Sequence, residues 1–232
     1  MAREILSFYR FQRTEDPAIY ADAFYQPANE LGLLGTVLVA SEGWNINLWG
    51  DSESLDKYLE ALSKNVPAFS PLPQEMKRME LSAQPFRKLA RKIKPEIIKL
   101  GVPVDMAKSH ETYMSAEELH ARLLAGEKMA MLDVRNRYEI EIGTFVGAID
   151  PGLHAFKELP EAMEKLELAK DMPIVSFCTG GIRCEKAVPY LKSLGYTNVL
   201  QIEGGIWKYI EKYPDGYFKG ECFWFDEREE RE

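Results

Sequence analysis

The segment Pro173-Ile174-Val175-Ser176-Phe177-Cys178-Thr179-Gly180-Gly181-Ile182-Arg183-Cys184-Glu185 constrains this chain more than any other. Pro173 to Phe177 is short, apolar and bounded by turn signals, which reads as a buried strand. A glycine-bearing turn follows. Glu185 to Leu194 then reads as a helix, with Ala187, Tyr190, Leu191 and Leu194 on one face and Gly195 after it. Pro189 inside that run removes one helix hydrogen bond. A strand that is apolar on both faces and feeds a helix belongs in a parallel sheet covered on both sides. Similar units surround it. A capping box at Ser115-Ala116-Glu117-Glu118 opens a helix expected to bury Leu119, Leu123 and Leu124 and to end at Gly126. Strands are expected at Met129–Val134, Gly147–Asp150 and Val199–Ile202, and a last helix at Ile206–Tyr213, stopped by Pro214.

This placement puts Cys178 at the carboxyl end of a parallel strand, where open α/β sheets hold their ligands. The amides of Thr179 to Arg183 can curl around the sulfur, and with the helix N-terminus they favour an anion there. The thiolate is stabilised and the thiol pKa falls. Gly180 and Gly181 let the backbone approach closely, and Arg183 adds a fixed cation. Phosphatases of similar build place five residues between cysteine and arginine. Here Thr179, Gly180, Gly181 and Ile182 intervene, a smaller ring that suits a single sulfur, as a persulfide, better than a tetrahedral oxyanion. The plain alternative is a structural cysteine beside a tight turn.

The first hundred residues alternate strand and helix signals in the order βαββαβ. Strands are expected at Glu4–Phe11, at TVLVA and NINLWG around Ser41-Glu42-Gly43, and at Lys77–Leu81; helices begin at the caps Asp16-Pro17 and Asp51-Ser52. That order predicts a ferredoxin-like or acylphosphatase-like sandwich. The expected organisation is a domain at 1–100 with a basic segment at 86–94, a linker at 101–113, and a second domain at 114–228. A length of 232 residues fits two domains. No run approaches the roughly 20 apolar residues of a membrane span, and the N-terminus lacks a secretory leader pattern. Three cysteines fit a reducing cytoplasm rather than a disulfide scaffold. A net charge of -8 excludes a basic nucleic-acid coat, yet a local patch can still bind RNA.

Residues 115–225 resemble a rhodanese domain through Asp133-Val134-Arg135-Asn136 with Tyr138-Glu139, Gly147-Ala148-Ile149-Asp150, the Cys178 loop and Glu203-Gly204-Gly205-Ile206. CTGGIRCEKA together with GECFWFDER (Gly220 to Arg228) resembles the rhodanese-containing tRNA uridine(34) hydroxylases. The resemblance implies an acylphosphatase-like domain before a rhodanese-like parallel α/β domain. It implies 5-hydroxylation of the wobble uridine, with molecular oxygen and an unidentified reductant as co-substrates and no cofactor motif in view. The family's EGxNGT-like turn is matched here at Glu42, Gly43 and Asn45, while Ile46 and Asn47 depart from it. Many relatives continue into a cysteine-rich tail; this chain stops at Glu232, and no such metal site is expected.

Within this reading Cys178 and Arg183 are the expected catalytic pair, with Thr179, Gly180, Gly181 and Ile182 as the anion or persulfide loop. Asp133 and Arg135 are expected to support that loop, through an ion pair with Glu139. Cys184 either resolves an oxidised or persulfidated Cys178 or packs beneath the loop. Cys222 is expected in the core. Arg87, Lys88, Arg91, Lys92 and Lys94 span two turns if helical, sharing neighbouring faces, and are the candidate grip on tRNA phosphates at the anticodon arm. Trp44 and Trp49 are either base-stacking rings or core. His110, His120 and His154 lack metal-ligand spacing, and no GxGxxG fingerprint is present. The expected protein is a cytoplasmic tRNA-modifying enzyme, with a possible sulfur- or electron-donor protein as partner. The alternatives are a sulfurtransferase passing sulfane sulfur through a Cys178 persulfide and a non-catalytic binding module.

Overall fold

A computed structural model describes residues 2–66, 69, 76–106 and 112–223. The chain divides into two compact units, the second starting at Ile98.

The first unit runs β1 (Arg3–Phe11), α1 (Pro17–Glu30), β2 (Leu34–Ala40), β3 (Gly43–Asp51), α2 (Ser52–Asn65), β4 (Lys77–Glu80) and β5 (Leu89–Ile93). The sheet order is β4-β1-β3-β2-β5. β3 lies antiparallel between β1 and β2, which makes β1-α1-β2 a split crossover. Both helices start at the aspartates that the sequence offers as caps. Asp16 accepts the amides of Ala18 and Ile19, and Asp51 accepts that of Ser54. Alternate strand residues face the helices: Leu6 and Phe8, Val37 and Val39, and Trp44, Ile46 and Leu48 pack on Phe24 of α1 and on Leu55, Tyr58 and Leu62 of α2. On the opposite face Ile5, Trp49 and Phe86 form a smaller cluster. The unexpected element is β5. The basic segment is a strand, not a helix, because it docks parallel on the edge of β2, with the Gly35 amide donating to the Lys88 carbonyl.

The second unit runs β6 (Tyr113–Met114), α3 (Ala116–Leu124), β7 (Ala130–Asp133), α4 (Arg137–Ile140), β8 (Gly143–Phe145), α5 (Leu159–Lys165), β9 (Ile174–Phe177), α6 (Ile182–Ser193), β10 (Val199–Ile202), α7 (Gly205–Lys212) and β11 (Phe218–Gly220). Its main sheet, β6-β10-β9-β7, is wholly parallel. Helices cover both faces. Leu132 and Ile174 pack with Ala187, Val188 and Leu191 of α6, while Met131, Val175 and Phe177 pack with Leu119 of α3 and Ile206 and Tyr209 of α7.

Two expectations fail locally. Leu124 is 66% exposed, because the nine-residue α3 buries the Leu119 stripe and Leu124 falls past it. Gly147–Asp150 forms no strand, only a single bridge from Ile149 to Leu132. The small antiparallel pair β8 and β11 takes its place beside the sheet. The expected linker at 101–113 lies partly outside the described residues. Among the described residues no helix is long and apolar enough to cross a membrane.

Candidate active site

Cys178 is the first residue beyond β9, and α6 begins four residues later. Gly181 caps α6 with φ of +99°, a left-handed conformation that glycine adopts without strain. That turn aims its amide at the sulfur, with N to Sγ 3.1 Å. The carbonyls of the same loop face the other way. Those of Cys178 and Thr179 accept the first amides of α7, from Ile206 at 3.0 Å and Trp207 at 3.2 Å. Gly205 makes this docking possible. A Cβ there would lie 2.5 Å from the Cys178 carbonyl oxygen, and its φ is +70°.

The sulfur is buried, with Cys178 only 1% exposed. Burial alone pushes the thiol up. The Cys184 thiol, the Arg183 charge and the amides of Arg183 and Cys184 outweigh it and bring Cys178 down to about 6. Cys184, fully buried in the first turn of α6, moves well above its ordinary value through burial and the neighbouring Cys178. The two sulfurs are pushed in opposite directions, Cys178 down and Cys184 up, which favours the thiolate at Cys178.

Arg183 pairs with Glu139 of α4, Nη1 to Oε2 2.8 Å. Glu139 is itself buried, and it also accepts the Asn136 amide at 3.0 Å and the Thr179 hydroxyl at 3.3 Å. It therefore joins the start of α4, the loop and the site's cation. This corrects the expected pairing: Glu139 serves Arg183, and Arg135 is held by Asp133 instead. The Arg135 guanidinium grips the Asp133 carboxylate at 2.9 and 2.7 Å and donates to the Gly143 carbonyl at 2.6 Å. Thr144 donates to the same carboxylate at 2.7 Å. Burial works against the Arg135 charge, and Asp133 more than offsets it. The pair ties the end of β7 to β8, beside the loop rather than at the sulfur.

Cys222 packs in the core near Phe145 and Phe218, as expected. Its thiol donates to the Phe223 carbonyl at 3.7 Å and lies by Thr179, and burial pushes it up to about 12. The adjacent Phe223 ring meets Tyr138 edge-on at 5.3 Å. The described part of the GECFWFDER motif, Gly220 to Phe223, is thus a neighbour of the Cys178 loop; Trp224 to Arg228 lie outside the described residues.

The basic residues do not form a helical stripe. On a strand Arg91 and Lys92 point to opposite faces. Arg91 pairs with Asp22 of α1 at 2.7 Å and donates to the Ala18 carbonyl. Arg87 and Lys88 are exposed just before β5, and Lys94 follows it. Trp44 is fully buried and stacked on Tyr20; Trp49 is buried and donates to the Leu81 carbonyl. Both are core rings. His120 bonds the Tyr209 hydroxyl at 2.9 Å and stacks on Tyr213, and the His154 amide donates to Glu158. His110 lies outside the described residues.

Residues 3–97 match the UPF0176 acylphosphatase-like domain, and residues 115–212 match the rhodanese-like domain. A protein of Acinetobacter baumannii named tRNA uridine(34) hydroxylase is 39% identical over 227 residues, which cover 97% of this chain and 71% of that protein. The chain belongs to the tRNA uridine(34) hydroxylase family. A family protein of Bordetella parapertussis is 38% identical over 225 residues, 96% of this chain and 93% of its own. Among solved structures, the rhodanese-like domain of an Anabaena protein is 28% identical, covers 48% of this chain and 80% of its own, and superposes with a TM-score of 0.40. Membership in the hydroxylase family spans both units, whereas the rhodanese match spans only the second. Sequence reasoning missed the Glu139–Arg183 pair, the Thr144 hydrogen bond and the grip of α7 on the loop.

Proposed function

We propose that this chain hydroxylates uridine 34 of tRNA, and that it does so at carbon 5 with molecular oxygen and an external reductant. The observation that carries the reading is the match, along 97% of the chain, to a protein named for that reaction. The Cys178 site supports it by offering a thiolate at neutral pH, fixed by amides and by the Arg183–Glu139 pair. Cys178 and Arg183 are the catalytic residues in this reading, with Thr179 to Ile182 as the loop that holds the sulfur. Asp133 and Arg135 position that loop.

The sulfur is enclosed, with Cys178 only 1% exposed. The anticodon arm of tRNA is the macromolecular substrate. Arg87, Lys88, Arg91, Lys92 and Lys94 supply phosphate contacts, and Arg91 also pairs with Asp22. The protein works in the cytoplasm, where tRNA is found. Sulfur transfer through a Cys178 persulfide is the weaker reading, since it needs only the loop and gives the first unit no task.

The test uses purified protein, tRNA lacking wobble hydroxylation, a chemical reductant and air. Nucleoside mass spectrometry should detect 5-hydroxyuridine in air and none under nitrogen. With isotopically heavy dioxygen the new oxygen should be heavy. Equal product under nitrogen would refute oxygen as the source.

A further inference from the structure

Among the described residues, both helices of the first unit pack on one face of its sheet. On the other face the Ile5, Trp49 and Phe86 cluster covers only one end. Beyond it the strand register lays two rows across the sheet. Ser7 of β1 lies between Lys77 of β4 and Asn47 of β3, and Asn47 faces Thr36 of β2. Tyr9 lies opposite Asn45, Asn45 faces Leu38, and Leu38 faces Lys92 of β5. These side chains leave the face opposite Phe8, Val37 and Ile46, because alternate strand residues do. Each is half-buried. The Ser7 hydroxyl donates to Asn47 Oδ1 at 2.6 Å, and Asn47 Nδ2 donates to Asn45 Oδ1 at 3.2 Å. The Tyr9 ring meets Phe11, the next residue of β1 on that face, edge-on at 6.1 Å. We propose that this face binds unstacked nucleotides of tRNA: Tyr9 stacks a base, the Asn45 amide reads its edge, and Lys77 and Lys92 face the backbone phosphates.

This rests on the reading that tRNA is the substrate, and it gives the first unit a share in recognising it. Single-stranded RNA is held by aromatic rings that stack its bases and by polar groups that meet the exposed base edges. The face offers both on adjacent strands. Asparagine is disfavoured in strands, yet two share one face of β3, the central strand. Their carbonyl oxygens accept from Ser7 and Asn47. The Asn45 amide N–H groups are therefore the donors left for acceptors such as the carbonyl oxygens of a pyrimidine. The charge matches a polyanion as well. The two rows carry lysines on both edge strands, β4 and β5, and no carboxylate. Glu4 of β1 is on the helix side, where it pairs with Arg78.

The experiment measures binding of the full chain to unmodified tRNA and to a short single-stranded RNA of the anticodon-loop sequence, by fluorescence anisotropy without reductant. Tyr9→Ala should weaken both affinities by about five- to 100-fold, the range for losing one stacking ring, with the salt slope unchanged. Tyr9→Phe keeps the ring and should bind as wild type. Asn45→Asp replaces a donor by a negative charge and should weaken binding by about tenfold or more. Lys92→Ala should lower the log–log salt slope by about 0.7, one phosphate of a single strand. Folded Tyr9→Ala or Asn45→Asp protein that binds as wild type overturns the inference, as does wild type that binds neither RNA. If Tyr9→Ala does not fold, Asn45→Asp alone decides. Unchanged RNA affinity with an altered sedimentation coefficient would assign the face to a second copy of the chain and overturn the inference too. Hydroxylation is assayed separately. Wild type that binds through this face but forms no 5-hydroxyuridine refutes the proposed function alone; wild type that hydroxylates, with variants bound as tightly, refutes the inference alone.

Discussion

Replacing Arg135 with methionine should destabilise the second unit by about 3–5 kcal/mol, the usual cost of leaving one member of a buried ion pair alone. The structure explains why the loss falls in that range. Both side chains of the pair are fully buried. Methionine fills much of the volume but removes three hydrogen bonds, two to Asp133 and one to the Gly143 carbonyl. Asp133 would keep only the Thr144 hydroxyl and the backbone amide of residue 135. Those two donors do not repay the desolvation of a full carboxylate charge. Asp133→Asn alone should cost a similar amount, since it strands the guanidinium. The double variant should lose clearly less than the two single losses added, because no unpaired charge remains. Urea unfolding followed by circular dichroism measures this, with the midpoint of Arg135→Met lower by about 1–2 M. A single variant within about 1 kcal/mol of wild type, or a double variant whose loss equals the sum, would refute the account of the pair.

Three further outcomes follow from the site and the sheet. Alkylation of Cys178 by iodoacetamide should rise with pH to half its limit near 6, because the thiol below that value is protonated and unreactive, while Cys222, pushed up to about 12, should stay unlabelled through neutral pH; faster labelling of Cys222 at pH 6 would contradict the assignment. Gly205→Ala should cost more than the roughly 1–2 kcal/mol of a left-handed alanine, since its Cβ meets the Cys178 carbonyl, and it should slow hydroxylation; a fully active variant of wild-type stability would show that α7 does not fix the loop. Reversing Arg87, Lys88, Lys92 and Lys94 to glutamate should weaken tRNA binding and lower the log–log salt slope by about 1 for each phosphate that is no longer neutralised; an unchanged affinity and slope would mark these residues as a solvated edge.

Elements with strong local signals were legible in the sequence. Asp16 and Asp51 cap their helices because an aspartate before a helical run satisfies free amides without tertiary help. The run from Ile174 to Phe177 is a central strand because nothing in it tolerates solvent. The basic segment misled, since Arg87 to Lys94 fits helical and extended spacing alike. What decides it is the open edge of β2, a partner about fifty residues away in the chain. β8 and β11 are three residues each and pair across more than seventy positions, which no local pattern reveals. At the site, the thiolate environment of Cys178 followed from strand, glycines and helix. The partner of Glu139 did not, because Arg135 and Arg183 are equally plausible cations until the fold places Asp133 against one of them.

The central claim is tested most directly by nucleoside mass spectrometry of tRNA from cells carrying the gene, lacking it, and complemented with wild type or Cys178→Ser. Where no second hydroxylating system operates, deletion should remove 5-hydroxyuridine and its derivatives from the wobble position. Wild type should restore them, and Cys178→Ser should not. Restoration by Cys178→Ser, or loss of a thiolated nucleoside with 5-hydroxyuridine unchanged, would contradict the account.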